Sequence, residues 1–397
     1  MINIIITILV LSGFYTEVQP HSIIDLDYVI SEGEPFFVIG NWWGLPKGVS
    51  FEDLKNAGFN FTGVSCWDPK EIEIVHRLGM KGGVYIGRRM DQDRYPKSDI
   101  DAKMKEILGH PGLLCWYGRD ESNDKDGAPI SGLLKGYRYV KQKDPNHVIW
   151  QNYAGCGDQF TNRKDVWNWS SLKARHRHAD VLSMHCYPVG REVTTKNLKT
   201  IAQVGELVEI LKSTLIEKGI QTKPIWCILQ GYEKDKGIYP DFHQTRFMAY
   251  DAIIHGATGI IYYYTHSLNK AHPLWRYITK VTEELNSIYH VLTSREGVKD
   301  ISIEYDRSLD VNVLEKGDFP FRLGIWLLSK RCKDGCIYLL TENNATLPIR
   351  QVKFKLPRLK KGKVEVLFED RTLPIKDGEF RDNFKPFEIH VYKIKEA

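Results

Sequence analysis

The chain has 397 residues, of which 42% are hydrophobic and 26% are charged, and its formal charge at pH 7 is +5. This length suffices for one large domain plus a smaller one with a sizeable core, and the composition is that of an ordinary globular protein. The excess of positive charge is small and scattered, which argues against a nucleic-acid-binding protein. The 10 Trp and 20 Tyr are more than such a core needs, and flat aromatic rings suit the apolar faces of sugars.

Residues 1–18 are predicted to be a signal peptide. The opening run MINIIITILVLSGF is apolar and of signal-peptide length, and it is too short for a comfortable membrane span. No Lys or Arg precedes the run, and no small-x-small cleavage site is obvious. We therefore expect a secreted or periplasmic protein whose mature chain begins near Gln19 and has no stable membrane span.

Residues 19–298 are predicted to form one domain in which short apolar runs alternate with segments of helical periodicity. Expected strands cover 36–40, 59–64, 82–86, 113–117, 148–153, 179–188, 224–229 and 259–264. Expected helices cover 51–57, 69–78, 98–108, 132–143, 198–218, 242–255 and 274–289. Eight strands that alternate with helices over roughly 260 residues are typical of an α/β fold, the (β/α)8 TIM barrel. A doubly wound sheet would need a Gly-rich phosphate loop after the first strand, and the sequence has none there.

From residue 299 the helical periodicity stops, and short alternating runs appear between turn sequences such as Lys376-Asp377-Gly378. Residues 299–397 are therefore predicted to form a small antiparallel β-sandwich that packs against the barrel. We expect its role to be structural, with carbohydrate binding as the alternative. Cys332 and Cys336 flank a further turn, so a disulfide across it is one option, and no cysteine spacing resembles a zinc site.

The segment PGLLCWYGRDESND, residues 111–124, places two adjacent carboxylates at the end of a short apolar strand. Asp120 and Glu121 follow Gly118 and Arg119. Burying two acids costs several kcal/mol unless they have partners, so this placement favours chemistry over folding. The alternative is that Asp120 caps the next helix and Glu121 lies in its first turn, where the helix dipole stabilises it.

Active sites in this class of barrel lie at the carboxyl ends of the strands. Those ends collect aromatic rings, amides and charged groups, a mixture that suits a polyhydroxylated ligand. Each aromatic taken alone is more often core than ligand contact, but their collective placement at strand ends favours function. The expected substrate-binding residues are Trp42, Trp43, Trp67, Arg88, Tyr153, His185, Tyr187, Gln230, Tyr264 and His266. The two histidines lack an acidic or His partner at metal spacing, so no metal or other cofactor is predicted.

Three segments carry a family resemblance. HPGLLCWYGRDES resembles the fourth-strand motif of the clan A glycoside hydrolases, in which a Glu after Asn or Asp is the general acid/base. KPIWCILQGYE resembles their seventh strand, and RFMAYDAIIHGATGIIYYYTH resembles the helix and eighth strand that close the barrel. The resemblance covers the mature chain and implies an O-glycosidase with a carbohydrate substrate, in which Glu121 is the acid/base and Asp120 its partner.

The seventh strand departs from this pattern, because clan A has a nucleophilic Glu where this chain has Gln230, and an amide cannot attack the anomeric carbon. Three hypotheses remain. Glu233 acts as nucleophile, or as base for water at the ~6.5–9.5 Å carboxylate separation of an inverting enzyme. Alternatively, Asp120 and Glu121 act as a pair, similar to that of hexosaminidases that use the substrate's own acetamido oxygen as nucleophile. In the third, the barrel is a non-catalytic carbohydrate-binding protein.

Overall fold

The computed structural model describes residues 23–25, 27–42, 44–63, 69–122, 128–153, 176–190, 201–217, 219, 223–306, 312–313 and 321–396. The predicted signal peptide lies outside them. A small antiparallel sheet of β1 (Ile23–Asp25), β2 (Tyr28–Ser31) and β3 (Glu34–Phe36) precedes the barrel, and the sequence did not predict it. The Tyr28 hydroxyl donates to the carbonyl oxygen of Leu292 at 2.8 Å, which ties this sheet to the far end of the barrel domain.

The predicted (β/α)8 barrel is confirmed. Its parallel strands are β4 (Val38–Trp42), β5 (Phe61–Gly63), β6 (Lys81–Tyr85), β7 (Leu113–Tyr117), β8 (Val148–Tyr153), β9 (Val181–Cys186), β10 (Ile225–Gln230) and β11 (Gly259–Tyr263). Each strand pairs with the next along the chain, and β11 pairs with β4, which closes the barrel. All carboxyl ends therefore meet at one mouth.

Helices surround the strands and begin at residues suited to helix starts. The helices are α1 (Phe51–Asn56), α2 (Pro69–Arg77), α3 (Lys97–Met104), α4 (Ile130–Lys143), α5 (Gln203–Glu217), α6 (Phe242–Ile254), α7 (Pro273–Ser287) and α8 (Tyr289–Leu292). Ser50 and Asp241 form capping boxes at the starts of α1 and α6, where the side chain satisfies a backbone N–H that has no helical partner. Within the described residues, every helix falls short of the length and apolarity that a membrane crossing needs.

Aromatic side chains fill the inside of the barrel. The Trp150 ring lies 4.3 Å from Tyr117 and 5.4 Å from Trp226 between ring centroids. Glycine at several inward positions makes room for these rings. A Cβ added at Gly83 would lie 2.7 Å from a ring carbon of Phe61, well inside van der Waals contact. The interior is thus a close-packed core rather than a channel.

The C-terminal part is antiparallel, as predicted. It comprises β12 (Ser302–Glu304), β13 (Asn312–Val313), β14 (Phe321–Arg322), β15 (Ile325–Arg331), β16 (Cys336–Asn343), β17 (Ile349–Lys355), β18 (Lys361–Leu367), β19 (Arg371–Lys376), β20 (Glu379–Phe384) and β21 (Glu388–Lys395). Eight of these strands form one half-barrel sheet in the order β12-β17-β20-β19-β18-β21-β16-β15. The sequence missed β19 and β20, although it found the turn that joins them. Cys332 and Cys336 are free thiols, so the disulfide option was wrong.

The half-barrel sheet packs on helix α6, on the outer side of the barrel. Arg246 of α6 joins the two parts. Its Nε donates to Glu284 at 2.7 Å on α7, and its Nη1 donates to the carbonyl oxygen of Ile389 at 3.0 Å on β21. In the described part of the chain, the C-terminal strands therefore meet the barrel through its outer helices.

Candidate active site

The chain leaves β7 in a tight turn that projects two carboxylates at the mouth. Gly118 donates its N–H to the carbonyl oxygen of Trp150 at 2.8 Å, and Glu121 donates its N–H to that of Asn152 at 3.2 Å. Glu121 has a φ of 48°, a left-handed conformation that side chains other than glycine rarely adopt. A residue in this conformation cannot lie in the first turn of a right-handed helix, so the helix-capping alternative was wrong.

Asp120 is held by hydrogen bonds to one of its two oxygens. Its Oδ1 accepts from the Tyr117 hydroxyl at 2.6 Å and from Asn152 Nδ2 at 2.9 Å. Burial, followed by the charge of Asp120, raises the pKa of Tyr117 well above its usual range and that of Tyr263 to about 12. The same two causes raise the pKa of Tyr85. These tyrosines therefore remain neutral O–H donors around the carboxylate at neutral pH.

A directed chain of hydrogen bonds starts in the barrel interior. The indole Nε1 of Trp150 can only donate, and it does so to Ser183 Oγ at 2.7 Å. Ser183 Oγ in turn donates to Asn152 Oδ1 at 3.1 Å. The amide oxygen of Asn152 is thereby identified, and its Nδ2 must point outward, where it donates to both Asp120 and His185.

His185 connects this chain to Glu121. Its Nδ1 accepts from Asn152 Nδ2 at 3.2 Å, so the neutral imidazole carries its proton on Nε2. Nε2 lies 3.4 Å from Oε1 of Glu121, whose side chain is 43% exposed. The imidazole ring stacks on Tyr187, with 5.2 Å between centroids and 17° between planes. His185 thus presents an N–H to the acid/base candidate.

Aromatic rings continue from this point across the mouth. Tyr187 stacks on Tyr263 at 5.4 Å and 10°, and the Tyr232 ring stands perpendicular to Tyr187 at 5.3 Å. Tyr264, which has a φ of 65°, lies at 6.1 Å from Tyr232 and contacts the His266 ring at 4.2 Å. The row ends in an exposed ring, which is a shape that suits stacking on a sugar face.

Gln230 ends the seventh barrel strand, but its amide serves the backbone. It is fully buried, its Nε2 donates to the carbonyl oxygen of Val189 at 3.2 Å, and its Oε1 accepts the Val189 N–H at 3.2 Å. An ionised carboxylate could not make both bonds, because it has no proton to donate. Gln230 was predicted to contact a sugar. In the structure its side chain instead holds the backbone of the turn that follows β9.

Glu233 lies in the loop that follows β10. Its Oε1 accepts the backbone N–H of Gly237, and its Oε2 lies 3.6 Å from Nε2 of His272, the N-cap residue of α7. None of these contacts involves Asp120 or Glu121. The carboxylate organises its own loop in this structure and does not join the hydrogen-bond chain.

Two predicted sugar-binding aromatics belong to the core. Trp42 is buried and packs within 5.2 Å of Tyr117 and 5.3 Å of Tyr263 between centroids, so it forms the floor of the mouth. Tyr153 is also buried, and it packs outward in the layer between strands and helices, where its nearest described ring is His178 at 6.3 Å. The alternation of side chains along β8 places Tyr153 on the face opposite Asn152.

Arg88 is exposed in the short 3-10 helix Gly87–Met90 that follows β6. Because this helix follows the carboxyl end of β6, Arg88 lies at the mouth, where its charge offsets part of the rise in the pKa of Tyr85. Trp43 and Trp67 lie outside the described residues. Of the predicted site residues, the structure therefore brings together Asp120, Glu121, His185, Tyr187, Tyr264 and His266, with Arg88 nearby.

Sequence reasoning missed Tyr117, Asn152, Ser183 and Tyr263. For Asn152 the sequence did hold a signal. Trp150 and Asn152 are two positions apart, so both side chains point to the same face of β8. A polar residue next to a core aromatic on that face, at the end of a strand, is unusual. For Ser183 there was none, since its role depends on the neighbouring strand.

Comparison with known proteins supports the fold. No protein-family model and no curated protein matches the chain in sequence. A putative α-galactosidase of Bacteroides fragilis has a TM-score of 0.55 at 12% identity, over 93% of this chain and 82% of that one. An α-amylase of Anoxybacillus has a TM-score of 0.53 at 10% sequence identity, over 88% of this chain and 91% of that one. A family 51 α-L-arabinofuranosidase of Bifidobacterium longum has a TM-score of 0.53 at 11% sequence identity, over 87% of this chain and 89% of that one. The resemblance to glycoside hydrolase barrels is confirmed at the level of the fold.

Proposed function

We propose that this protein hydrolyses a glycosidic bond, with Glu121 as general acid/base and Asp120 as its immediate partner. The observation that carries the proposal is the hydrogen-bond chain from Asp120 through Asn152 to His185, whose Nε2 lies 3.4 Å from Glu121 beside the row of tyrosine rings. Carboxylates that hold and transfer protons next to aromatic platforms are what cleavage of a sugar requires. The glycosidase-like fold agrees with this assignment without identifying the residues.

The mechanism we favour uses the substrate as nucleophile. Gln230 is occupied by the Val189 backbone, and Glu233 is occupied by Gly237 and His272, so neither is poised to attack. In a 2-acetamido sugar the acetamido oxygen attacks the anomeric carbon while the glycosidic C–O bond breaks. Glu121 gives its proton to the leaving oxygen, and then, as carboxylate, takes a proton from the water that opens the cyclic intermediate.

Asp120 is suited to orient such an acetamido group. The hydrogen bonds that the described residues give to this carboxylate all go to Oδ1, which leaves Oδ2 for the acetamido N–H. Burial and the charge of Asp120 raise the pKa of Tyr263 to about 12. Its hydroxyl therefore stays protonated and can donate a hydrogen bond to the acetamido oxygen.

The test is turnover of matched pairs of glycosides that differ only in a 2-acetamido or a 2-hydroxyl group. We expect cleavage of the 2-acetamido members, with losses of about 10²-fold or more in Glu121→Gln and Asp120→Asn. The assay should include a natural oligosaccharide, because aryl leaving groups need little protonation. Glu233→Gln is the control and should keep its activity. Equal cleavage of both sugars, abolished by Glu233→Gln, would instead assign the nucleophile or base to Glu233.

A non-catalytic carbohydrate-binding protein is the second candidate. The observation that favours it is the conversion of the seventh-strand position into a backbone support through Gln230. Under this alternative the wild-type protein binds glycans without cleaving any of them, and Glu121→Gln binds as well as the wild type.

A further inference from the structure

Away from the mouth, three residues of metal-binding type meet where the barrel contacts the C-terminal sheet. Asp251 and His255 are one helical turn apart at the end of α6, and Glu342 lies on β16. All three side chains are buried, and one ligand atom of each lies within 4.8 Å of the other two. These residues come from two domains, and Glu342 lies 91 positions after Asp251, so their spacing in the sequence does not indicate a metal site.

The distances match a tetrahedral ion. His255 Nε2 lies 3.1 Å from Glu342 Oε1 and 3.6 Å from Asp251 Oδ1. A tetrahedral zinc ion with bonds of about 2.0–2.1 Å places its ligand atoms about 3.3 Å from each other. Two edges of a tetrahedral face are therefore already close to the length that zinc requires, and the third, between Asp251 and Glu342, is at most 4.8 Å.

Two oxygens in the cluster lack the partners that buried acids need. Within the described residues, neither Oε2 of Glu342 nor Oδ1 of Asp251 has a hydrogen-bond partner. The other oxygen of Asp251 accepts the Gly205 N–H at 2.6 Å, which aims Oδ1 towards His255. Buried carboxylates are strongly destabilising when their charge is not compensated, and one imidazole cannot neutralise two of them. A divalent cation bound between the two carboxylates would neutralise both of them.

The surroundings of His255 also resemble those of a metal ligand. Its second ring nitrogen, Nδ1, faces Glu209 Oε2 at 3.6 Å, an ion-pair distance, on the side where ligating histidines commonly have a carboxylate. The Trp326 ring covers the imidazole at 4.4 Å between centroids. The site thus has a carboxylate behind its histidine and an apolar wall.

We propose that Asp251, His255 and Glu342 bind a divalent first-row metal ion, for which zinc is the best match, and that this ion fastens the C-terminal sheet to the barrel. Imidazole nitrogen and carboxylate oxygen are both donor types that zinc accepts, at bond lengths of about 2.0–2.2 Å. The proposed role is structural, since the site lies at the domain interface and is closed to solvent. It is independent of the glycosidase assignment.

The test uses the full-length protein, purified without chelator. We expect about one zinc per chain by mass spectrometry, a fall in Tm of about 5–10 °C after removal of the metal with a strong chelator, and recovery on adding zinc chloride. Cobalt(II) loaded in place of zinc should show the visible absorption of a tetrahedral site. The variants Glu342→Gln and His255→Gln should retain less than about a tenth of the metal.

Glu284→Gln is the matched control, because it weakens the ion pair that holds Arg246 beside this interface and leaves Asp251, His255 and Glu342 unchanged. It should lower the Tm and keep the metal. The proposal fails if wild-type protein retains no metal, and neither zinc, cobalt nor manganese changes its Tm. In that case a proton replaces the ion, since burial and the charge of Glu342 raise the pKa of Asp251 well above its usual range. The wild-type measurements decide this even if the variants fail to fold.

Discussion

Asn152 donates a hydrogen bond from Nδ2 to Nδ1 of His185 at 3.2 Å, and this bond decides which ring nitrogen carries the proton. The direction of the bond is set by Trp150, whose indole can only donate and which lies in the barrel interior. Packing of the core therefore determines the tautomer of a residue at the mouth, and the N–H of that tautomer faces Glu121.

Replacement of His185 should show whether this N–H matters. Glutamine carries an N–H donor near the position of Nε2, whereas alanine has none. If the proposed function is right, His185→Ala lowers kcat/KM roughly 10-fold or more, and His185→Gln loses distinctly less. Steady-state kinetics across pH provide the measurement. Equal losses in both variants would mean that the ring's stacking on Tyr187, rather than its N–H, is what counts.

Restoring a carboxylate at the seventh strand should not create a nucleophile. In Gln230→Glu the new carboxylate can still accept the Val189 N–H, but it faces the Val189 carbonyl oxygen without a proton to donate. We expect a loss of about 1–3 kcal/mol in the free energy of unfolding at pH 8. The loss should shrink at pH 4–5, where the new group is protonated. Urea denaturation at both pH values measures it, and an unchanged stability at pH 8 would contradict the assigned bonds.

The barrel interior should not tolerate a methyl group at Gly83. Its Cβ would lie 2.7 Å from the Phe61 ring, within a core that has no spare volume. Gly83→Ala is expected to cost about 1–3 kcal/mol of stability, and Phe61→Leu in the same chain should recover part of it. Gly362→Ala is the control, because its Cβ would meet only ordinary contacts at 3.5 Å and beyond. Equal stability of both alanine variants would refute the close packing.

His390 should make stability fall at alkaline pH. Burial lowers its pKa, but hydrogen bonds to Glu369 and Glu388 and the charges of Glu369 and Asp382 outweigh this and raise the pKa to about 9. Arg371 and Asp382 also face this group. Because the folded pKa exceeds the unfolded value of 6.5, the contribution is complete below pH 6.5 and is lost as the pH rises through 9. Its size is about 3 kcal/mol.

The measurement is the free energy of unfolding between pH 6 and 9.5. The wild type should lose more stability over this range than His390→Gln, whereas His243→Gln, which changes an exposed histidine, should follow the wild type. Parallel curves for the wild type and His390→Gln would show that the ion cluster adds nothing.

Local patterns were enough to predict the barrel and its most acidic turn. Strands β7 and β8 lie where the apolar runs placed them, and Asp120 and Glu121 lie at the mouth because a parallel barrel brings every strand's carboxyl end to one side. The hairpin of β19 and β20 escaped prediction because Pro374 and mostly exposed side chains hide the alternation of β19.

By itself, therefore, the sequence determined the fold class, the order of the barrel strands and the position of the paired carboxylates, since each follows from periodicities within a few turns of chain. Only the tertiary structure decided which face each side chain takes and what it contacts. Tyr153 packs in the layer between strands and helices, and Gln230 binds the backbone of a neighbouring turn. Asp251 of the barrel lies next to Glu342 of the C-terminal sheet. These outcomes depend on barrel closure and domain packing, which join residues that no local pattern relates.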